Sequence, residues 1–325
     1  MHRFNLTFRK YILLWAFLAM VVGYLAGRFN PQRVESLQGL LTPLLFTMIF
    51  IMVFPTSMPS LGTLKLYTFP LMLSFILTVL SPLWGILVAR IIPAHFMFLR
   101  TGLVISTTVP PDAMLSAWTS FLEGDLLLAL IIQSFTFVVY LILVPFGLKL
   151  LLANSLNFST LILIKNLLIL IVIPYILAGV IKLLFKKQLS RDLLQRIKPS
   201  LTSLSGIIEI LVILISIALR AEIITRYPVI IWWGVLSAAL FYAVAFIAAF
   251  YISRLFRFDL QTSVPLIYQN GVKNLPIAMV IALSTFDSRT ILGVAACMLA
   301  QFPISALFYS LFASRWNTAH RIKPV

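Results

Sequence analysis

Apolar runs of 18–26 residues, each closed by glycine, proline or a charge cluster, recur along the whole chain. They fall at residues 11–28, 37–56, 68–90, 100–121, 125–150, 160–185, 200–220, 228–253, 261–285 and 290–313. About twenty apolar residues in helical form span the roughly 30 Å of bilayer hydrocarbon. The pattern therefore predicts ten transmembrane helices. Barrel strands would alternate apolar and polar positions over roughly ten residues, whereas these runs are continuous. The expected fold class is all-α integral membrane.

Composition strengthens this reading. Of 325 residues, 61% are hydrophobic and only 10% are charged, against about 45–50% and about 25% in soluble proteins. A soluble domain of this length could not bury so much apolar surface. Nothing is left over for a large catalytic, nucleotide-binding or sensory domain. The basic start, Met1 to Lys10, and the apolar run to Gly27 resemble a signal peptide, but the many spans that follow predict an uncleaved first helix.

The net charge of +16 would suggest a nucleic-acid partner in a soluble protein. Here the basic residues sit in short loops, where they orient the spans and meet anionic headgroups, so no nucleic acid is expected. With the N-terminus inside, one side collects 15 of the 25 lysines and arginines: Arg3, Arg9, Lys10, Lys65, a six-residue set between spans six and seven (Lys182, Lys186, Lys187, Arg191, Arg196, Lys198), Arg254, Arg257, Arg315, Arg321 and Lys323. The other side collects nine, Arg28, Arg33, Arg90, Arg100, Lys149, Lys165, Arg220, Arg226 and Arg289. This bias predicts a multi-pass protein of the plasma (cell inner) membrane with both termini cytoplasmic. The single cysteine, Cys297, lies in an apolar run and reads as a small buried hydrophobe.

A shift of 165 residues lays Pro111 on Pro276, Ala113 on Ala278, Met114 on Met279, Ala117 on Ala282 and Phe121 on Phe286, five identities in eleven positions. The shift carries span four onto span nine. Five spans is an odd number and reverses orientation, so the pattern predicts two inverted five-helix repeats, residues 1–155 and 156–325, as in many secondary transporters.

Both matched spans are interrupted. Span four reads Ser106-Thr107-Thr108-Val109-Pro110-Pro111-Asp112, and span nine reads Gln269-Asn270-Gly271-Val272-Lys273-Asn274-Leu275-Pro276. Non-helical backbone survives at membrane depth only where protein or a water-filled cavity covers it, and paired interruptions point to a transporter's midplane site. Asp112 and Lys273 stand beside these breaks, and Glu209 lies inside span seven. Ionisable groups there cost about 2.5–3.5 kcal/mol each on insertion scales. The expected solute- and ion-binding residues are Thr107, Thr108, Asp112, Glu209, Gln269, Asn270, Lys273 and Asn274, with Pro110, Pro111, Gly271 and Pro276 as helix breakers. Asp112 and Lys273, or their half-helix ends, should approach each other at a crossing, either as a structural ion pair or as part of the site. Gln133, Ser134 and Gln301 are expected to make interhelical hydrogen bonds, with the cavity as the alternative. Glu123 and Asp125 suit a helix N-terminus, and Trp118 suits packing or an interface.

With its broken fourth and ninth spans, the chain resembles the bile acid:sodium symporter superfamily, which includes arsenite permeases of the arsenical-resistance-3 type. The resemblance rests on Gly102-Leu103-Val104 through Ala129-Leu130 and on Tyr268-Gln269-Asn270-Gly271 through Ala282. It implies crossed helices four and nine, and a six-span core (spans three to five and eight to ten) facing a four-span panel, with Glu209 on the panel looking toward the core. It also implies sodium ligands that this chain replaces. Pro265 stands where the symporters carry a glutamate, and Pro110-Pro111-Asp112 where they carry a small-residue stretch ending in Ser-Asn. Asp112 stands near the place of the permeases' cysteine.

The function expected is secondary active transport of a small anionic organic solute by alternating access, coupled to sodium or protons. An arsenite or metalloid efflux permease is the alternative. A membrane-embedded enzyme or channel is the alternative of another class. His2, His95 and His320 all lie near span ends and no HExxH motif occurs, which argues against an enzyme. No metal centre or cofactor is expected beyond the coupling ion. The expected partners are the solute and the lipid bilayer, with no signal for an oligomeric state.

Overall fold

The computed structural model describes residues 12–54, 65, 67–112, 114–152, 161, 164–165, 168–185, 189, 191–226 and 228–320. Among these every regular element is helical, and the one β-type contact is an isolated bridge between Pro111 and Lys273. The long helices are α1 (Ile12–Phe29), α2 (Leu41–Val53), α3 (Thr68–Ala89), α4 (Met97–Thr107), α5 (Met114–Phe121) and α6 (Leu126–Leu152). They continue as α7 (Ile173–Leu184), α8 (Arg191–Ala218), α9 (Val229–Leu255), α10 (Leu260–Gly271), α11 (Leu275–Thr285) and α12 (Ile291–His320). Among the described residues, four stretches are long and apolar enough to cross a membrane: Pro31–Ile51, Thr68–Ala89, Trp232–Leu255 and Ile291–Phe312.

The outer faces are apolar. Trp232 is 76% exposed, Leu236 58% and Leu255 75%, all on α9, and α1, α3 and α7 carry similar rows. In water a belt of this size would drive association; against lipid tails it is a solvated surface. The chain is a multi-pass membrane protein.

The helices sort into two packing groups. In the first, α8 lies against α1 and α2, and α7 lies against α2. The α1–α8 contact is close because Gly23 and Gly27, four residues apart, face the α8 backbone. A Cβ on Gly23 would lie 2.4 Å from the Leu214 carbonyl oxygen, and one on Gly27 2.0 Å from that of Ala218. Small residues at this spacing let membrane helices pack backbone to backbone. In the second group, α12 packs on α4 and α9, α10 on α9, α6 and α3, and α5 on α6 and α10. The groups touch where α11 meets α2 and α8 meets α12.

The boundaries depart from the hydropathy pattern where polarity masks a helix. Helix α8 begins at Arg191, nine residues before the apolar run, because Leu193, Leu194, Ile197 and Leu201 continue an apolar stripe at helical spacing. The six-charge set between spans six and seven is therefore not all loop. Lys182 is in α7 and Arg191, Arg196 and Lys198 are in α8, while Lys186 and Lys187 lie outside the described residues. Arg100 is likewise in α4, with its guanidinium folded back to donate to the Ile92 and Arg90 carbonyls. The end of span two (55–56), Ala113, the first basic cluster (Arg3, Arg9, Lys10) and Arg321 and Lys323 lie outside the described residues.

The turn into α6 is built by two acidic residues. Glu123 takes a left-handed φ of 53°. Asp125 caps α6 by accepting the Leu128 N–H at 2.9 Å, and it also accepts the Tyr67 hydroxyl at 2.7 Å. Burial first, then the neighbouring Asp125, pushes the Tyr67 hydroxyl up to about 12.

Candidate functional site

Two helices stop inside the protein and their ends meet. Helix α4 ends at Thr107 and the chain resumes as α5 at Met114; α10 ends at Gly271 and resumes as α11 at Leu275. Consecutive prolines cause the first stop, since neither Pro110 nor Pro111 offers an N–H and each disfavours helix before it. At the second, Gly271 lies against α9 so tightly that a Cβ would come within 2.1 Å of the Phe246 ring. Pro276 does not break a helix here. It occupies the first turn of α11, where its missing N–H has no intrahelical acceptor to lose.

The two interruptions pair as a minimal antiparallel bridge. The Asp112 N–H donates to the Val272 carbonyl at 3.1 Å, and the Asn274 N–H donates to the Pro110 carbonyl at 2.8 Å. Each extended segment thus satisfies backbone groups of the other, which hydrocarbon requires. The Lys273 peptide faces the opposite way, onto α12. There the Gln301 side chain accepts its N–H at 2.8 Å and donates to its carbonyl at 3.2 Å. A single amide side chain serves as one more strand.

Asn274 is buried, and its Oδ1 accepts the Ile277 N–H at 3.3 Å, capping α11. The Lys273 side chain is fully buried. Its ammonium donates to the Tyr140 hydroxyl at 2.9 Å and to Asn270 Oδ1 at 3.2 Å, and it lies 5.3 Å from the centre of the Tyr140 ring. These partners are neutral, so the Lys273 charge is held by oriented dipoles and a ring face. The breaks approach each other through backbone.

The other expected residues separate into two sets. Asp112 is half-buried at the bridge, and Glu209, half-buried on α8, lies within electrostatic range of it. One carboxylate belongs to each packing group. Thr107 and Thr108 are buried, but their hydroxyls turn back onto the Val104 and Ile105 carbonyls at 2.7 and 2.8 Å. They close the end of α4. Gln269 faces α3, where Ser74 donates to its Oε1, and its Nε2 is buried with no partner among the described residues. It does not join the Asp112 and Lys273 neighbourhood through a hydrogen bond.

Gln301 makes interhelical hydrogen bonds, whereas Ser134 donates to the Leu130 carbonyl of its own helix at 2.9 Å. Trp118 stacks on Tyr268 with ring centres 5.7 Å apart. Cys297 is a free, buried thiol. The residue that sequence reasoning passed over is Tyr140. Its signal was present: a tyrosine halfway along a 27-residue apolar helix is far from the membrane interface that tyrosines favour.

Chemically, the site offers a buried ammonium and two half-buried carboxylates at the contact between helix groups. The described residues contain no group of three or more His, Cys, Asp or Glu side chains that could hold a metal ion. A proton or a monovalent cation is what a carboxylate pair of this kind can take up.

A sequence model described as the sodium bile acid symporter family matches residues 42–227. The match includes the first break and Glu209 and stops before the second break. The chain is also 25% identical over 245 residues to the uncharacterized protein YbaS of Bacillus subtilis (strain 168), covering 72% of this chain and 75% of that one.

Proposed function

The chain belongs to the sodium bile acid symporter family, and on that premise we propose that it is a secondary active transporter of a small anionic organic solute. Membership supports a transporter-type function in general. The proposal adds the solute class, the coupling and the motion. The helix group around α8 acts as the panel and the group around α12 as the core, and the solute passes between them by alternating access. The two halves, residues 1–155 and 156–325, form the inverted repeats of a ten-helix fold with both termini in the cytoplasm of a cell whose plasma membrane holds it.

The observation that carries the reading is the placement of Asp112 and Glu209. They lie within electrostatic range of each other on different packing groups, with Asp112 at the bridged helix ends. Two carboxylates in range repel when both are ionised. A proton or a sodium ion between them removes that repulsion and lets the groups close. The groups part again when the ion leaves. Lys273, buried beside the bridge, carries the amine that favours an anionic solute when it is protonated.

Proteoliposomes test it. Purified protein should exchange a labelled carboxylate in counterflow, and an imposed sodium or pH gradient should drive its accumulation. Glu209→Gln should keep counterflow and lower gradient-driven accumulation by about tenfold or more, the loss expected when roughly one charged interaction is removed. No exchange of any organic anion would overturn the transport proposal. Unchanged accumulation in the variant would overturn the coupling role of the pair.

A further inference from the structure

A second polar feature lies where the two helix groups meet, away from the bridge. A cavity of about 100 Å³ is bounded by Gln38 in the turn before α2, Thr42 on α2, Arg220 just past α8 and Ser284 on α11, with leucines and a valine of the same elements completing the wall. Gln38 and Thr42 are exposed, so it opens outward on that side. Arg220 is half-buried, and its Nε is buried without a hydrogen-bond partner among the described residues. A desolvated charged donor left unpaired is costly, and buried polar groups are ordinarily satisfied.

The acid that acts on Arg220 is already engaged. Asp287 Oδ2 accepts Nε and Nη2 of Arg289 at 2.9 and 2.5 Å, and its Oδ1 accepts the Arg289 backbone N–H at 2.8 Å. Those contacts hold the Asp287 carboxyl below its ordinary range and the Arg289 guanidinium above its own. Among the described residues, Asp287 and Arg289 act electrostatically on Arg220 with opposite signs. The Arg220 guanidinium stands at the cavity beside the neutral polar side chains of Gln38, Thr42 and Ser284, and the rest of the lining is apolar.

We propose that this cavity is an oxyanion-binding site, in which Arg220 receives a carboxylate or phosphate group and Gln38, Thr42 and Ser284 supply neutral hydrogen bonds. The guanidinium fork suits both anions because it presents parallel N–H groups to two oxygens. The oxyanion can come from a soluble solute or from the headgroup of an anionic lipid, since the cavity opens at the end of α8. The site is distinct from the Asp112–Glu209 pair and does not depend on the transport reading: binding is measured without a gradient and without solute movement.

The test is a thermal-shift titration of the full chain in phosphatidylcholine nanodiscs. Sodium acetate and sodium phosphate are compared with sodium chloride at fixed sodium and ionic strength. A parallel arm compares phosphatidylcholine discs with discs containing phosphatidylglycerol. The wild type should melt at a higher temperature with saturating acetate or phosphate than with chloride. Arg220→Gln should weaken the apparent affinity about tenfold or more, the loss expected when a charge-assisted hydrogen bond is removed. Arg220→Lys keeps the charge without the fork and should fall between the two, which preserves the test if the glutamine variant does not fold. A response to phosphatidylglycerol that requires Arg220, without a response to the soluble anions, assigns the oxyanion to lipid. No anion response in either arm, or equal responses in wild type and both variants, overturns the site.

Discussion

At the first break, between Thr107 and Met114, the polypeptide itself prevents a helix: Pro110 and Pro111 offer no N–H, and the hydroxyls of Thr107 and Thr108 close the α4 end from within. At the second, between Gly271 and Leu275, the unwound residues are ordinary ones held by side chains from elsewhere. Gln301 of α12 brackets the Lys273 peptide, Tyr140 of α6 takes its ammonium, and Phe246 of α9 fills the space beside Gly271. One interruption is local and the other is tertiary. The difference teaches that a symmetric pair of breaks need not share a cause. It also indicates which one a neighbouring helix can influence: a movement of α12 acts on the second break directly.

Substitutions should separate the two. Gln301→Leu keeps the volume but leaves the Lys273 N–H buried without its acceptor, a loss of about 1–3 kcal/mol, and removes one of two donors to its carbonyl. It should give the largest drop in melting temperature of the purified protein. Asn274→Ala removes the α11 cap but not the backbone bond to Pro110, so the expected loss is about 1 kcal/mol, and Asn274→Asp should recover most of it. Pro110→Ala should change stability by less than about 1 kcal/mol, because Pro111 and the Asp112–Val272 bond persist. If Pro110→Ala destabilised as much as Gln301→Leu, the contrast between a local and a tertiary break would collapse.

The same division governs what could be read from the residues alone. The helices, the two interruptions and the burial of Lys273 follow from hydropathy, proline placement and the scarcity of charge. The start of α8 was hidden because Arg191, Arg196 and Lys198 interrupt the apolar count, although the apolar stripe beneath them is helical. Gln269 and Asn270 look alike in sequence, yet one faces Ser74 on α3 and the other the Lys273 ammonium. Adjacent residues on a helix point about 100° apart, so which one joins a site depends on the neighbour each happens to face.

From the sequence it follows that this is a helical, multi-pass membrane protein in which Asp112 and Lys273, two of the few charges within apolar runs, lie at broken helices. Bilayer thickness and the cost of unpaired polar groups in hydrocarbon make those outcomes local. Only the tertiary structure decided the rest. It set the backbone bridge between Pro111 and Lys273, chose neutral partners for the lysine, brought Glu209 within electrostatic range of Asp112, and left the Arg220 Nε without a hydrogen-bond partner among the described residues. Each of these joins residues far apart in the chain, and hydrogen bonds and charges act over a few ångströms in space, whatever the distance in sequence.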